Sequence, residues 1–149
     1  HRGCPLAVVA PQVRHLLEWT GLATHSQRLP MALNHGLRQR VALARALALQ
    51  PSLLLLDSPL SGLAVAQVRW WLDFLAHLHV PSLPDIVPPV AVAVTTDALR
   101  PWLALGTHFA LIHEGRWQVL GTPAEVSRSQ HPAVRDMLAD PRYRDDFER

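Results

Sequence analysis

The sequence predicts an α/β fold, a parallel sheet with flanking helices followed by a C-terminal β-hairpin. Three observations carry this. Leu53-Leu54-Leu55-Leu56 is a short apolar run with a helical stretch on each side, the pattern of a parallel strand buried on both faces. Val90 to Thr95 is a second run of the same kind. Thr107 to His113 and Trp117 to Gly121 are two β-rich segments joined at Glu114-Gly115, a hairpin signal.

The elements follow in order. Pro11 to Gly21 reads as a helix, with Val13, Leu16, Leu17 and Thr20 at helical spacing and Gly21 as its stop. A loop leads to Leu33. Asn34 is a good N-cap for a helix over Leu37 to Leu49, rich in Ala, Leu and Arg, which Gln50-Pro51-Ser52 breaks. Ser58 to Ala64 is a loop, and Val65 to His79 a helix carrying Trp70, Trp71 and Phe74. Pro81, Pro84, Pro88 and Pro89 dictate an extended connection. Asp97 to Leu105 reads as a short helix containing Pro101, and Pro123 to Ser129 and Pro132 to Ala139 as two more. The Arg- and Asp-rich end, Asp140 to Arg149, is expected to fray.

Composition narrows the chemistry. The chain has 149 residues, enough for one domain or one piece of a larger one. A formal net charge of +2 gives no electrostatic case for a nucleic-acid partner. All 14 basic residues are Arg, so no mechanism that needs a lysine, as a Schiff base or against a phosphate, can be built from this chain alone. Cys4 is the single cysteine, so no intrachain disulfide or Cys-cluster metal site can form. The nine His residues show no ligand spacing such as H-E-x-x-H. No apolar run reaches the ~18 residues of a membrane helix. The opening His1-Arg2-Gly3-Cys4 is neither an initiator Met nor a signal peptide, and is expected to reflect a truncated N-terminus.

The chemistry-bearing segment runs Leu33-Asn34-His35-Gly36-Leu37-Arg38-Gln39-Arg40-Val41-Ala42-Leu43-Ala44-Arg45-Ala46-Leu47, then a break, then Leu53-Leu54-Leu55-Leu56-Asp57-Ser58-Pro59. It resembles the signature helix and following Walker B strand of ABC-transporter ATPases, whose pattern is L-S-G-G-Q-x-Q-R-V-A-L-A-R-A-L, then four apolar residues and D-E-P. The resemblance extends over roughly Leu16 to Leu138 and implies an incomplete P-loop NTPase domain. Residues 1–50 would form the helical subdomain and signature helix; residues 51–149 would form the Walker B strand, switch strand, hairpin and closing helices.

The resemblance implies ATP and Mg²⁺ as cofactors. It places Asn34, His35, Gly36 and Arg38 at a helix N-terminus, whose free N–H groups suit a phosphate. It makes Asp57 the Mg²⁺ ligand, Ser58 the catalytic-base position and Thr96, in Val94-Thr95-Thr96-Asp97, the switch position. It also implies membrane permease subunits and a second ATPase subunit as partners, at the cytoplasmic face of the inner membrane. Within the family, Ala110 to Arg116 and Gly121 to Val126 are similar to the closing hairpin of importers. His131 to Leu138 resembles the ending of lipid-asymmetry (Mla-type) ATPases, a lipid or toluene-tolerance class.

The departures are as specific. The signature Ser is Asn34, its first Gly is His35 and its Gln is Leu37. The catalytic Glu is Ser58, the S-A-L-D loop is Ser61-Gly62-Leu63-Ala64, and the switch His is Thr96. No G-x-x-x-x-G-K-[ST] loop is present. Loss of a general base costs about 10²–10⁴-fold in rate. The chain alone is therefore expected not to hydrolyse ATP, and a non-catalytic structural or regulatory partner of an active ATPase, or a degenerate remnant, stays open beside the transporter subunit. A phospho-accepting receiver domain also ends a strand in Asp, but it needs a Lys that this chain lacks.

Overall fold

The computed structural model describes residues 6–78 and 90–143. Cys4, His79 and the proline-rich connection lie outside the described residues. The element order is α1 (Leu6–Trp19), α2 (His35–Leu47), β1 (Leu53–Asp57), α3 (Val65–His77), β2 (Ala91–Thr95), β3 (Phe109–His113), β4 (Arg116–Gly121), α4 (Pro123–Ser127) and α5 (Pro132–Leu138), with three short 3₁₀ turns between them and a fourth after α5 among the described residues.

Helix α1 starts at Leu6 and carries Pro11 inside it, so Pro11 is not its first residue. Its end is as expected. Gly21 takes φ +68°, and the amides of Leu22 and Gly21 donate to the carbonyls of Leu17 (2.6 Å) and Glu18 (3.0 Å). Those two bonds are a Schellman stop, which a residue without Cβ adopts at little cost. Helix α2 begins two residues before the expected Leu37, because Asn34 caps it directly.

Strands β1 and β2 pair in parallel, with Leu53 opposite Ala91, Leu55 opposite Ala93 and Asp57 opposite Thr95. Opposed residues project to the same side. Leu54, Leu56, Val92 and Val94 face the main core with Leu16, Leu43, Leu47, Val68, Trp71, Leu75 and Trp102. The other side bears Leu53, Leu55, Ala91 and Ala93, all exposed. The expectation of two strands buried on both faces is therefore corrected: Leu55 is 71% exposed, and no described element lies across that face. A run of four leucines has no alternation, so it cannot say which face is covered.

The hairpin repeats the pattern. Its turn, Glu114-Gly115, has positive φ at both residues, +49° and +70°, matching the twist that two-residue hairpins require. Pairs Ala110–Val119 and Ile112–Trp117 form an exposed apolar face, with Trp117 at 69%. On the opposite side Leu111 joins Leu99, Val126 and Val134 in a second, smaller core. The short helix expected over Asp97 to Leu105 is only a 3₁₀ turn at Arg100–Trp102.

Trp71 is buried in the main core. Trp70 is half-buried. It stacks on Phe74 at 5.0 Å, and the Arg40 guanidinium covers it at 3.7 Å from the ring centre. Of the end expected to fray, Asp140 to Tyr143 are ordered and residues 144–149 lie outside the described residues. Arg142 donates to Asp140 (2.6 Å) and Asp97 (2.9 Å), the carboxylate of Asp140 first and that of Asp97 second raising the Arg142 pKa above its usual value. Tyr143 is buried against the main core.

Leu47 has no exposed surface. Leu47→Ala should destabilise the chain by about 2–5 kcal/mol in urea unfolding, through lost transfer free energy plus a cavity. Leu55→Asn, on the bare sheet face, should change it by less than about 0.5 kcal/mol in the same measurement.

Candidate functional site

The site is built where the N-terminus of α2 meets the loop that leaves β1. Asn34 sits in extended conformation and its side-chain oxygen accepts from the Leu37 amide at 2.9 Å. That satisfies one of the free donors of the first helical turn. The His35 ring lies across the loop. Its Nε2 is 3.3 Å from the Ser61 carbonyl oxygen and 3.2 Å from Gln39 Nε2. Gly36 is buried, and a Cβ there would overlap the Gln67 side chain. The end of the Gln67 side chain thus fills the space beside Gly36, between α2 and the start of α3. Gln67 in turn accepts from the Ala64 amide at 3.3 Å. Arg38 turns back, and its guanidinium donates to the Leu33 carbonyl at 2.7 Å. Arg40 points the other way, over Trp70, and its partial burial lowers the guanidinium pKa.

Asp57 ends β1 and is exposed. The Thr95 hydroxyl donates a hydrogen bond to Asp57 Oδ1. The Ser58 amide donates to Thr95 Oγ1 at 3.2 Å and to the Thr95 carbonyl at 3.1 Å. Ser58 itself holds φ +46°, in the left-handed region. Non-glycine residues there store strain and cluster at functional sites.

Six of the seven residues singled out in the sequence thus gather on two adjoining features. Asn34, His35, Gly36 and Arg38 stand at the start of α2, and Asp57 and Ser58 at the carboxyl end of β1; the contact of His35 with the loop at Ser61 joins the two. Thr96 is not brought to Asp57. Its hydroxyl donates to the Ala98 carbonyl (2.9 Å) and accepts from Trp102 Nε1 (3.2 Å) and the Ala98 amide (3.1 Å). The residue that sequence reasoning missed is Thr95. Its signal was available only through register, since neighbouring strand residues point to opposite sides.

Among the described residues no cluster of three or more His, Cys, Asp or Glu side chains could hold a metal ion by itself. A Mg²⁺ held mainly by nucleotide phosphates needs only one or two protein carboxylates. Asp57 fits that demand: Oδ1 is taken by Thr95, and Oδ2 has no donor among the described residues. No described helix is long and apolar enough to cross a membrane.

Comparison with known proteins decides the family. Residues 9–61 match the ABC transporter family model. The chain carries part of an ABC-transporter ATP-binding domain. An Fe(3+) ions import ATP-binding protein of Rhizobium meliloti is 38% identical over 132 residues, covering 87% of this chain and 31% of that protein. A sulfate/thiosulfate import ATP-binding protein of Mycolicibacterium paratuberculosis is 41% identical over 122 residues, covering 82% of this chain and 32% of its own length. The chain thus spans about a third of the curated relatives it matches. Among solved structures, cbiO1 from Clostridium perfringens, part of the ABC transporter complex cbiONQ, superposes with a TM-score of 0.72 over 95% of this chain and 54% of that one, at 23% identity. A metal-chelate type ABC transporter in an inward-facing conformation gives 0.72 over 83% and 46%, at 24% identity. Both share the P-loop NTPase fold of the ABC domain. None of these relatives is a lipid transporter, so the Mla-type resemblance of the tail is not supported.

Asn34→Ala should cost about 1 kcal/mol of stability and speed hydrogen exchange at the Leu37 amide. Asn34→Ser, which restores the family's residue and keeps a capping oxygen, should leave both near the wild-type values.

Proposed function

We propose that this chain is the signature-bearing part of the ATP-binding domain of an ABC importer subunit, able to take part in nucleotide binding but not in normal turnover. The observation that carries the reading is the junction of the α2 N-terminus with the loop after Asp57, closed by His35 against Ser61. A helix N-terminus suits phosphate oxygens, and a strand-end carboxylate suits a divalent cation.

Two features of the fold support a half domain. The sheet face of Leu53, Leu55, Ala91 and Ala93 is apolar and bare, whereas parallel sheets are covered on both faces. The solved ABC chains are about twice the length that this one covers. The rest of the ABC domain, with its phosphate loop, would lie across the bare face and bring that loop to Asp57.

In this reading Asp57 would hold Mg²⁺, whose chemistry is to neutralise charge on the nucleotide phosphates. Asn34, His35, Gly36 and Arg38 would form the edge facing the nucleotide of a second ATPase subunit, and permease subunits would anchor the assembly at the inner membrane. Ser58 would not serve as a base, because a hydroxyl does not accept a proton at neutral pH. Thr96, bound to Trp102, would not replace a switch histidine. These substitutions favour a nucleotide-binding, regulatory member of a heterodimer over an independent engine. The relatives' cargoes, Fe(3+) and sulfate or thiosulfate, favour a small inorganic solute over a lipid.

The test is ATP binding and ATP turnover by the assembled transporter, with wild-type chain and with Ser58→Glu. Wild type should bind ATP with Mg²⁺ and turn over slowly, and Ser58→Glu should raise the rate, up to about 10²-fold. Absence of nucleotide binding in the wild-type assembly, or fast turnover indifferent to Ser58→Glu, would sink the reading.

A further inference from the structure

We propose that Thr95 is the positioning residue for Asp57, and that its hydroxyl selects which carboxylate oxygen meets a divalent cation. This rests on the reading of Asp57 as the cation's ligand. The two residues are opposed in the parallel register at the carboxyl ends of β1 and β2. Threonine and aspartate side chains at paired positions leave the sheet on the same side, so contact follows from the pairing itself.

One hydroxyl makes two directed contacts. It donates to Asp57 Oδ1 and accepts from the Ser58 amide at 3.2 Å. The first contact fixes the rotation of the carboxylate, a terminal torsion that is otherwise broad and two-fold. With Oδ1 occupied, Oδ2 is the oxygen left to face a cation. The second contact, with the bond from the same amide to the Thr95 carbonyl at 3.1 Å, holds Ser58 at its strained φ of +46°. The carboxylate and the first residue of the following loop are thus locked by the same side chain.

The neighbouring threonine cannot substitute. Thr96 Oγ1 is engaged by Ala98 and by Trp102, away from Asp57. A partner that orients a metal ligand typically contributes about 10–100-fold to metal affinity, and the contact from Thr95 has the geometry of such a partner.

The experiment compares wild type, Thr95→Val and Thr95→Ser in the assembled ATPase. The probe is Mn²⁺ with a non-hydrolysable ATP analogue, read by electron paramagnetic resonance. Thr95→Val keeps the β-branched shape and removes the hydroxyl; Thr95→Ser keeps the hydroxyl. Mn²⁺ affinity should fall about 10–100-fold in Thr95→Val and stay near wild type in Thr95→Ser. Analogue binding without Mn²⁺ should be equal in all three, and the Ser58 amide should exchange faster only in Thr95→Val. Equal Mn²⁺ affinity in wild type and Thr95→Val overturns the role of Thr95 while leaving the function of Asp57 standing. A Thr95→Ser variant as weak as Thr95→Val overturns it too, since a purely steric role would then suffice. Wild type that gains no Mn²⁺ affinity from the analogue removes both this inference and the reading of Asp57 on which it rests.

Discussion

The parallel pairing of β1 with β2 is the constraint on which the rest depends. It joins residues on the two sides of α3 and of the connection after it, so its loop-closure cost must be offset by burial. That burial comes from Leu54, Leu56, Val92 and Val94 on the core face. The register then carries Asp57 and Thr95 to the same level of the sheet. Slipping one strand by one residue would turn its inward side chains outward and separate the two polar groups. Core packing and site geometry are therefore set by the same alignment.

Helix α2 is fixed against this pair at both ends of its own site. At the N-terminus, Gly36 lets Gln67 approach, and His35 rests on the loop at Ser61. One turn on, Arg40 lies over Trp70, which is itself part of a ring stack with Phe74 and Trp19. A cation over an indole is worth about 0.5–2 kcal/mol depending on how far it is desolvated. Arg40 is partly buried, so the contact orients the helix as well as stabilising it. His35 has a double consequence. It ties the helix to the loop, and it puts bulk where the ABC pattern has only backbone.

The bare apolar faces of the two sheets belong to the same picture. Each sheet is two-stranded, and each covers one side with helices and leaves the other as an apolar surface. An isolated two-stranded sheet is marginal in water. The single covered face of each therefore supplies most of its support.

The sequence by itself determined what is local. Asn34 caps α2 because its side chain reaches the Leu37 amide within one turn, and Gly21 stops α1 because a left-handed residue is needed there. Glu114-Gly115 makes the hairpin turn for the same local reason. The order of residues from Leu33 to Pro59 was enough to identify the family. Tertiary structure decided what depends on distant partners. The leucines of β1 are chemically alike, and only the layer opposite them settles which are buried. Tyr143 is held in the core, and Arg142 beside it pairs with Asp97, forty-five positions away. Thr95 and Thr96 are adjacent and identical, yet strand pairing gives the first to Asp57 and turns the second toward Trp102. No local pattern distinguishes them, because the choice between the two faces of a strand is made by the strand beside it.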